Sequence, residues 1–115
     1  MNSLIKSIFT NFTVDGVLIP VKFLIYHGHG EPYITYNLDG YERSLSADDE
    51  LENYAENYSF SIYSKGNYLN IEQQMKTLLK NNGFIWLANR SSGDLYDPDI
   101  GYYFKTLFFS YLKGE

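Results

Sequence analysis

The hydrophobic period changes between Tyr58 and Phe84, and that change limits the architectures open to the chain. In "NYSFSIYS", Tyr58, Phe60 and Ile62 alternate with Ser59, Ser61 and Tyr63, the period of a strand with one buried and one polar face. A few residues later the period is helical: Ile71, Met75, Leu78 and Leu79 stand at i, i+4, i+7 and i+8, an apolar stripe down one side. Asn70 and Gln73 are spaced as a capping box, and Glu72 suits the positive helix end. Lys76 and Lys80 suit the negative end, and Gly83 supplies the left-handed residue that stops the helix. A strand feeding a helix with one apolar stripe predicts a sheet that the helix covers.

The flanking sequence extends the pattern. Leu4, Ile5, Ile8 and Phe9 fall on one side of a short amphipathic helix, and Asp15-Gly16 marks a turn. "VLIPVKFLIY" (Val17 to Tyr26) reads as a strand that begins near an edge, because Pro20 has no ladder donor. Gly28 and Gly30 punctuate the next turn, and Pro32 to Leu38 alternates Ile34, Tyr36 and Leu38 against Tyr33, Thr35 and Asn37. "RSLSADDELENYAEN" (Arg43 to Asn57) is acidic with only two leucines, so it reads as a solvated loop or a long hairpin excursion. After the second helix, Phe84 to Asn89 and Gly101 to Leu112 read as two strands joined through the turns of "DLYDPDIG". The order of helix, strands, helix, strands predicts an α+β fold, a mainly antiparallel sheet with two helices packed on one face, in a single domain over residues 1–115.

Composition narrows function. A chain of 115 residues supports one core that buries roughly two-thirds of the unfolded surface. Its 12 Tyr and 8 Phe suit either dense packing or interfaces, since a tyrosine carries apolar area with a polar tip. The net charge of -5 disfavours a phosphate-backbone binder, which needs clustered Lys and Arg. With no cysteine, neither a disulfide framework nor a thiolate metal site is open to it. Met1 to Thr10 is followed by no long apolar run or small-residue cleavage site, which predicts a soluble chain made and used without secretion or membrane attachment.

Candidate chemistry is sparse. His27 and His29 in "YHGHG" offer two imidazoles, but zinc takes three or four ligands and the chain has no further His; two exposed histidines in a glycine turn is the simpler reading. "DLYDPDIG" resembles the start of a calcium loop, yet position twelve counted from Asp94 is Lys105 and from Asp97 is Phe108, so the bidentate Glu is missing. Asp48, Asp49, Glu50 and Glu52 have no apolar surroundings to raise a pKa for acid-base work. There is no G-x-S-x-G, no phosphate loop, and "GHGEPY" fails the dinucleotide fingerprint at Tyr33. The chain is expected to be no enzyme and to hold no cofactor or metal.

Several segments together resemble the tail-completion, or tail-terminator, family of long-tailed bacteriophages of Gram-positive hosts. They are "FTVDGVLIPVKFLIYHG", "PYITY", "SADDE", "FSIYSKGNYLNIEQQMKTLLKNNGF" and "DLYDPDIGYYFKTLFF", in that order and nearly end to end. Where many relatives have a histidine before the lysine, this chain has Phe104 before Lys105, so no histidine role carries over. The resemblance implies a virion subunit, assembled in the host cytoplasm, that forms a ring, usually a hexamer, on the head-proximal end of the finished tail. Its implied partners are further copies of itself, the tail tube protein and the head connector. The excursion residues Ser46, Asp48, Asp49, Glu50 and Glu52 are the expected partner-binding residues. A head-completion or adaptor protein of the same neck is the alternative, sharing size, acidity and interface chemistry.

Overall fold

The computed structural model describes residues 2–26, 32–43, 54–88, 91, 93–99 and 101–113. Helix α1 (Asn2–Ile8) buries Ile5 and delivers Phe9 to the core. Strands β1 (Thr13–Val14) and β2 (Val17–Leu18) form a hairpin in which Asp15 (φ 53°) and Gly16 (φ 81°) both take positive φ, as a two-residue type I′ turn requires. The strand expected over Val17 to Tyr26 is broken at Ile19-Pro20. The proline cannot donate, and there the chain leaves β1 and starts β3 (Val21–Phe23), which runs parallel to β4 (Tyr33–Arg43) at the sheet edge.

The main sheet has six strands in the order β3-β4-β5-β8-β6, with β7 also on β8. Here β5 is Tyr54–Ser64, β6 Phe84–Trp86, β7 Leu95–Asp97 and β8 Tyr102–Lys113. All its pairings except β3–β4 are antiparallel. Strands β4 and β5 pair from Tyr33↔Tyr63 to Arg43↔Tyr54, with a shift of register between Leu38 and Gly40. The expected solvated stretch Arg43 to Asn57 is therefore too long at both ends. Arg43 closes β4 and Tyr54 opens β5, and Glu56 and Asn57 are buried because their ladder partners on β8, Tyr111 and Ser110, hold them inside the sheet. The turn "DLYDPDIG" likewise contains a strand, β7, and the strand expected over Phe84 to Asn89 ends at Trp86. Both short strands use the outer edge of β8, β7 against Tyr102–Phe104 and β6 against Phe109–Tyr111.

Helix α2 (Leu69–Asn81) crosses the face that carries Ile34, Tyr36, Phe60, Ile62, Leu107 and Phe109. Ile71, Met75 and Leu79 are buried and Leu78 is half-buried, so the helical stripe is as the spacing predicts. Ile5 and Phe9 join the same core, which places both helices on one face of the sheet. Each fully buried Met or Leu side chain there contributes about 1.5–3 kcal/mol. The expected Asn70 cap does not form, because the helix starts two residues earlier, with Tyr68 in the cap position. Asn67 Oδ1 accepts from Leu69 N–H at 2.9 Å, while the Asn70 amide donates to Asp15 Oδ2 at 2.9 Å and ties the helix to the β1–β2 turn. At the other end Gly83 takes φ 93°, as expected of the helix stop.

The opposite face carries neither helix. Its ladder is polar at the centre, where Ser59 donates to Asn37 at 3.0 Å and Ser61 pairs with Thr106 at 2.8 Å. It is aromatic at one end, where Tyr33 stacks on Tyr63 at 4.7 Å and Tyr63 on Phe104 at 5.5 Å. Among the described residues no helix is long and apolar enough to cross a membrane.

Candidate functional site

The polar group most deeply placed under the helix is Glu72, 5% exposed in the first turn of α2. Lys105 reaches it from β8, its Nζ 3.2 Å from each carboxylate oxygen, and Lys76 Nζ stands 3.3 Å away, one turn along the helix. Lys76 Nζ in turn lies 3.8 Å above the Trp86 ring on β6. The carboxylate is shared between two cations. The cluster acts as a clasp that fixes α2 and β6 on the sheet, and nothing in it is placed as a nucleophile. The reading of the sequence assigned Glu72 to the helix end alone. The signal for more was Lys105, which alternates in phase with the buried Leu107 and Phe109 and so had to face the helix.

Two tyrosines are tied in similar fashion. Tyr68 O–H donates to Asp94 and joins the start of α2 to the approach to β7; burial, with this hydrogen bond adding to it, pushes the Tyr68 phenol up from its ordinary pKa. Tyr58 O–H donates to Glu56 at 3.0 Å, and its phenol is pushed up by burial first and by Glu56 second.

Exposed apolar side chains concentrate at the two edges of the sheet. At the β3 edge stand Phe23, Leu24 and Ile25, with Val17 and Leu18 on the separate β1–β2 hairpin, and at the β6 and β7 edge stand Ile85, Trp86, Leu95 and Tyr96, beside Tyr103 of β8. The first edge is strained. Leu24 has φ 67°, in a three-residue turn closed by Ile25 N–H to the Phe23 carbonyl at 2.8 Å, with Leu24 N–H donating to Tyr36 at 2.9 Å. A left-handed leucine that is 57% exposed has no core role to justify its conformation, and such strain is characteristic of working surfaces.

Beside this edge, between α1 and β3, opens a cleft of about 510 Å³ walled by Phe9, Val21, Phe23, Ile25 and Tyr36, with Lys6 and Lys22. A cleft of about 430 Å³ lies between α2 and β6, lined by Lys76, Lys80, Ile85 and Trp86 among others. A third, of about 440 Å³, lies where α2 begins, beside Asp94 and Tyr103.

The residues expected to bind partners, Ser46, Asp48, Asp49, Glu50 and Glu52, lie outside the described residues, as do His27 and His29. Among the described residues no group of three or more His, Asp or Glu side chains is placed to hold a metal ion. Asp94, Asp97 and Asp99 lie around β7, where Asp97 Oδ1 accepts from Asp99 N–H at 3.0 Å. No protein-family model matches the chain, and no curated protein matches it.

Proposed function

We propose that this chain is a structural ring subunit of a phage neck, a tail terminator that caps the finished tail tube and offers a docking face to the head. The observation that carries the reading is the pair of unlike apolar patches at opposite edges of one sheet. A two-fold dimer needs one patch that fits itself, whereas a ring needs two different patches, each fitting the other on the next subunit. The strained Leu24 turn on one patch favours a role for that surface in assembly. The sequence resemblance supplies the setting: further copies of the chain, the tail tube protein and the head connector as partners, at the head-proximal end of the tail.

The test is electron microscopy of lysates from phage lacking the protein. A terminator's loss removes the stop signal for tube growth, so full heads, unjoined tails and tubes of uncontrolled length are expected. Tails of uniform normal length beside heads that leak or fail to join would instead identify a head-completion or adaptor protein and overturn the reading.

A further inference from the structure

The cleft of about 430 Å³ between α2 and β6 joins an apolar wall to a cationic one. Register sets Phe84 opposite Tyr111 and Trp86 opposite Phe109, so Phe84, Trp86 and Phe109 share the face that α2 covers, and Lys76 and Lys80, one turn apart on α2, line the other wall. Phe84 and Phe109 are buried, but Trp86 is 42% exposed. Lys76 is engaged, with Glu72 at 3.3 Å and the Trp86 ring at 3.8 Å. Lys80 is exposed, and among the described residues no carboxylate pairs with it. An aromatic wall beside such a cation fits an acidic segment that carries an apolar side chain. The connection between β4 and β5, residues 44–53, has that sequence: Asp48, Asp49, Glu50 and Glu52 surround Leu51, with no lysine or arginine among them. The acidic stretch around β7 is engaged within its own copy, where Asp94 accepts from Tyr68 and Asp97 borders a hollow with Tyr26 and Tyr33.

We infer that, in the ring, residues 44–53 of one copy seat in the α2–β6 cleft of the next, with Leu51 against Trp86 and the flanking carboxylates facing Lys80. The inference rests on the ring reading. Register supports it. The β4–β5 ladder ends at Arg43↔Tyr54, a rung that aligns with Lys113 on β8, while β6 pairs with β8 over Phe109–Tyr111. The segment therefore leaves the sheet about 7 Å along the strands from the rung of Phe84, at the same end of the subunit as the cleft. Across the sheet the two are apart, because β8 separates β5 from β6. Acidic segment and basic cleft thus lie near one level on opposite sides of β8, and a head-to-tail ring joins unlike surfaces of this kind.

Two measurements on the full chain test this. Trp86 is the chain's only tryptophan, so its fluorescence reports on the cleft. Residues 44–53, added as a peptide with capped ends, should shift that emission saturably and bind more weakly at high salt, and Lys80→Glu should weaken the binding at least tenfold. A peptide that leaves the emission unchanged, or that binds wild type and Lys80→Glu alike, would overturn the inference. In the second, assembled protein mixed from isotopically light and heavy copies is treated with a zero-length carbodiimide, and Lys76 or Lys80 of one copy should link to Asp48, Asp49, Glu50 or Glu52 of another. Links to these carboxylates only within a copy, links from the two lysines only to another protein of the tail, or none at all in intact rings would remove this contact and leave the ring reading standing. So would rings formed by Lys80→Glu at wild-type concentrations. A wild-type chain that stays monomeric at every concentration and on isolated tails would remove both.

Discussion

Lys105 on β8 holds both carboxylate oxygens of Glu72 on α2 at 3.2 Å, an ion pair that connects the middle of the sheet to the first turn of the helix. Glu72 is the more buried partner, its side chain 7% exposed against 21% for Lys105, so losing the lysine leaves a carboxylate that only Lys76 can compensate. Lys105→Met should cost about 1–3 kcal/mol, between the values for surface pairs and for broken buried pairs. Lys76→Met should cost about 1 kcal/mol or less, since it removes one helical pair and one cation-π contact. In urea titrations the double variant Glu72→Gln/Lys105→Met should lose less than the sum of its singles. Additive losses would show that the two groups do not interact.

Tyr58 and Tyr68 predict alkaline sensitivity. Both phenols are pushed up in the folded chain by burial first and by a neighbouring carboxylate second. Below the unfolded phenol value near 10 both states keep the proton, and stability is unaffected. Above it the unfolded chain releases protons that the folded chain retains, so stability falls as pH rises toward the folded values. Urea midpoints should hold steady to about pH 9 and drop beyond about pH 10. Tyr68→Phe should shallow that drop, and an unchanged slope would remove Tyr68 from the account.

Gly83 ends α2 at φ 93°, and a Cβ there would lie 3.2 Å from Tyr111 Cε1. Gly83→Ala thus meets both a left-handed backbone and a ring packed tilted on Phe84 at 4.8 Å. A loss of about 1–2 kcal/mol is expected from the backbone alone. Thermal unfolding measures it, and a stability equal to wild type would mean that the helix end can re-form around a right-handed residue.

Local period made most of the fold legible. Tyr58, Phe60 and Ile62 announced one face of β5, and Ile71, Met75 and Leu79 the stripe of α2, because each follows a repeat set by its own backbone. What depended on distant partners was hidden. Nothing near Pro20 says that the chain will change sheets and run parallel to β4, and Leu95–Asp97 is too short and too acidic to read as a strand before β8 pairs with it. Local spacing also did not show that α2 begins at Leu69, which puts Asn70 inside the first turn, where its amide donates to the distant Asp15. At the candidate surfaces the aromatic content was visible early, but its division between two sheet edges required the strand order.

Met75 and Leu79 are fully buried four residues apart and press α2 onto the sheet. Truncating either to Ala should cost about 2–5 kcal/mol, a large share of the roughly 5–15 kcal/mol that holds a domain. The double variant should be largely unfolded by circular dichroism. A cooperative native transition in that variant would show that α2 contributes little to the core.

Leu24 separates stability from assembly. Its φ of 67° is a conformation that costs an L-residue about 1–2 kcal/mol, and glycine removes the steric part of that cost at an entropic penalty of about 0.5–1 kcal/mol. Leu24→Gly should therefore leave the monomer as stable as wild type or about 1 kcal/mol more stable. The same change deletes an apolar side chain that is 57% exposed at the β3 edge, where a neighbouring copy is expected to bury it. Ring formation should weaken even though the subunit is no less stable, the trade expected where strain is kept for function. Denaturation followed by fluorescence gives the first quantity, and sedimentation velocity of the same sample gives the second. A variant that is destabilised, or that assembles as well as wild type, would mean that the left-handed leucine serves the fold of the subunit and not its contact with the next.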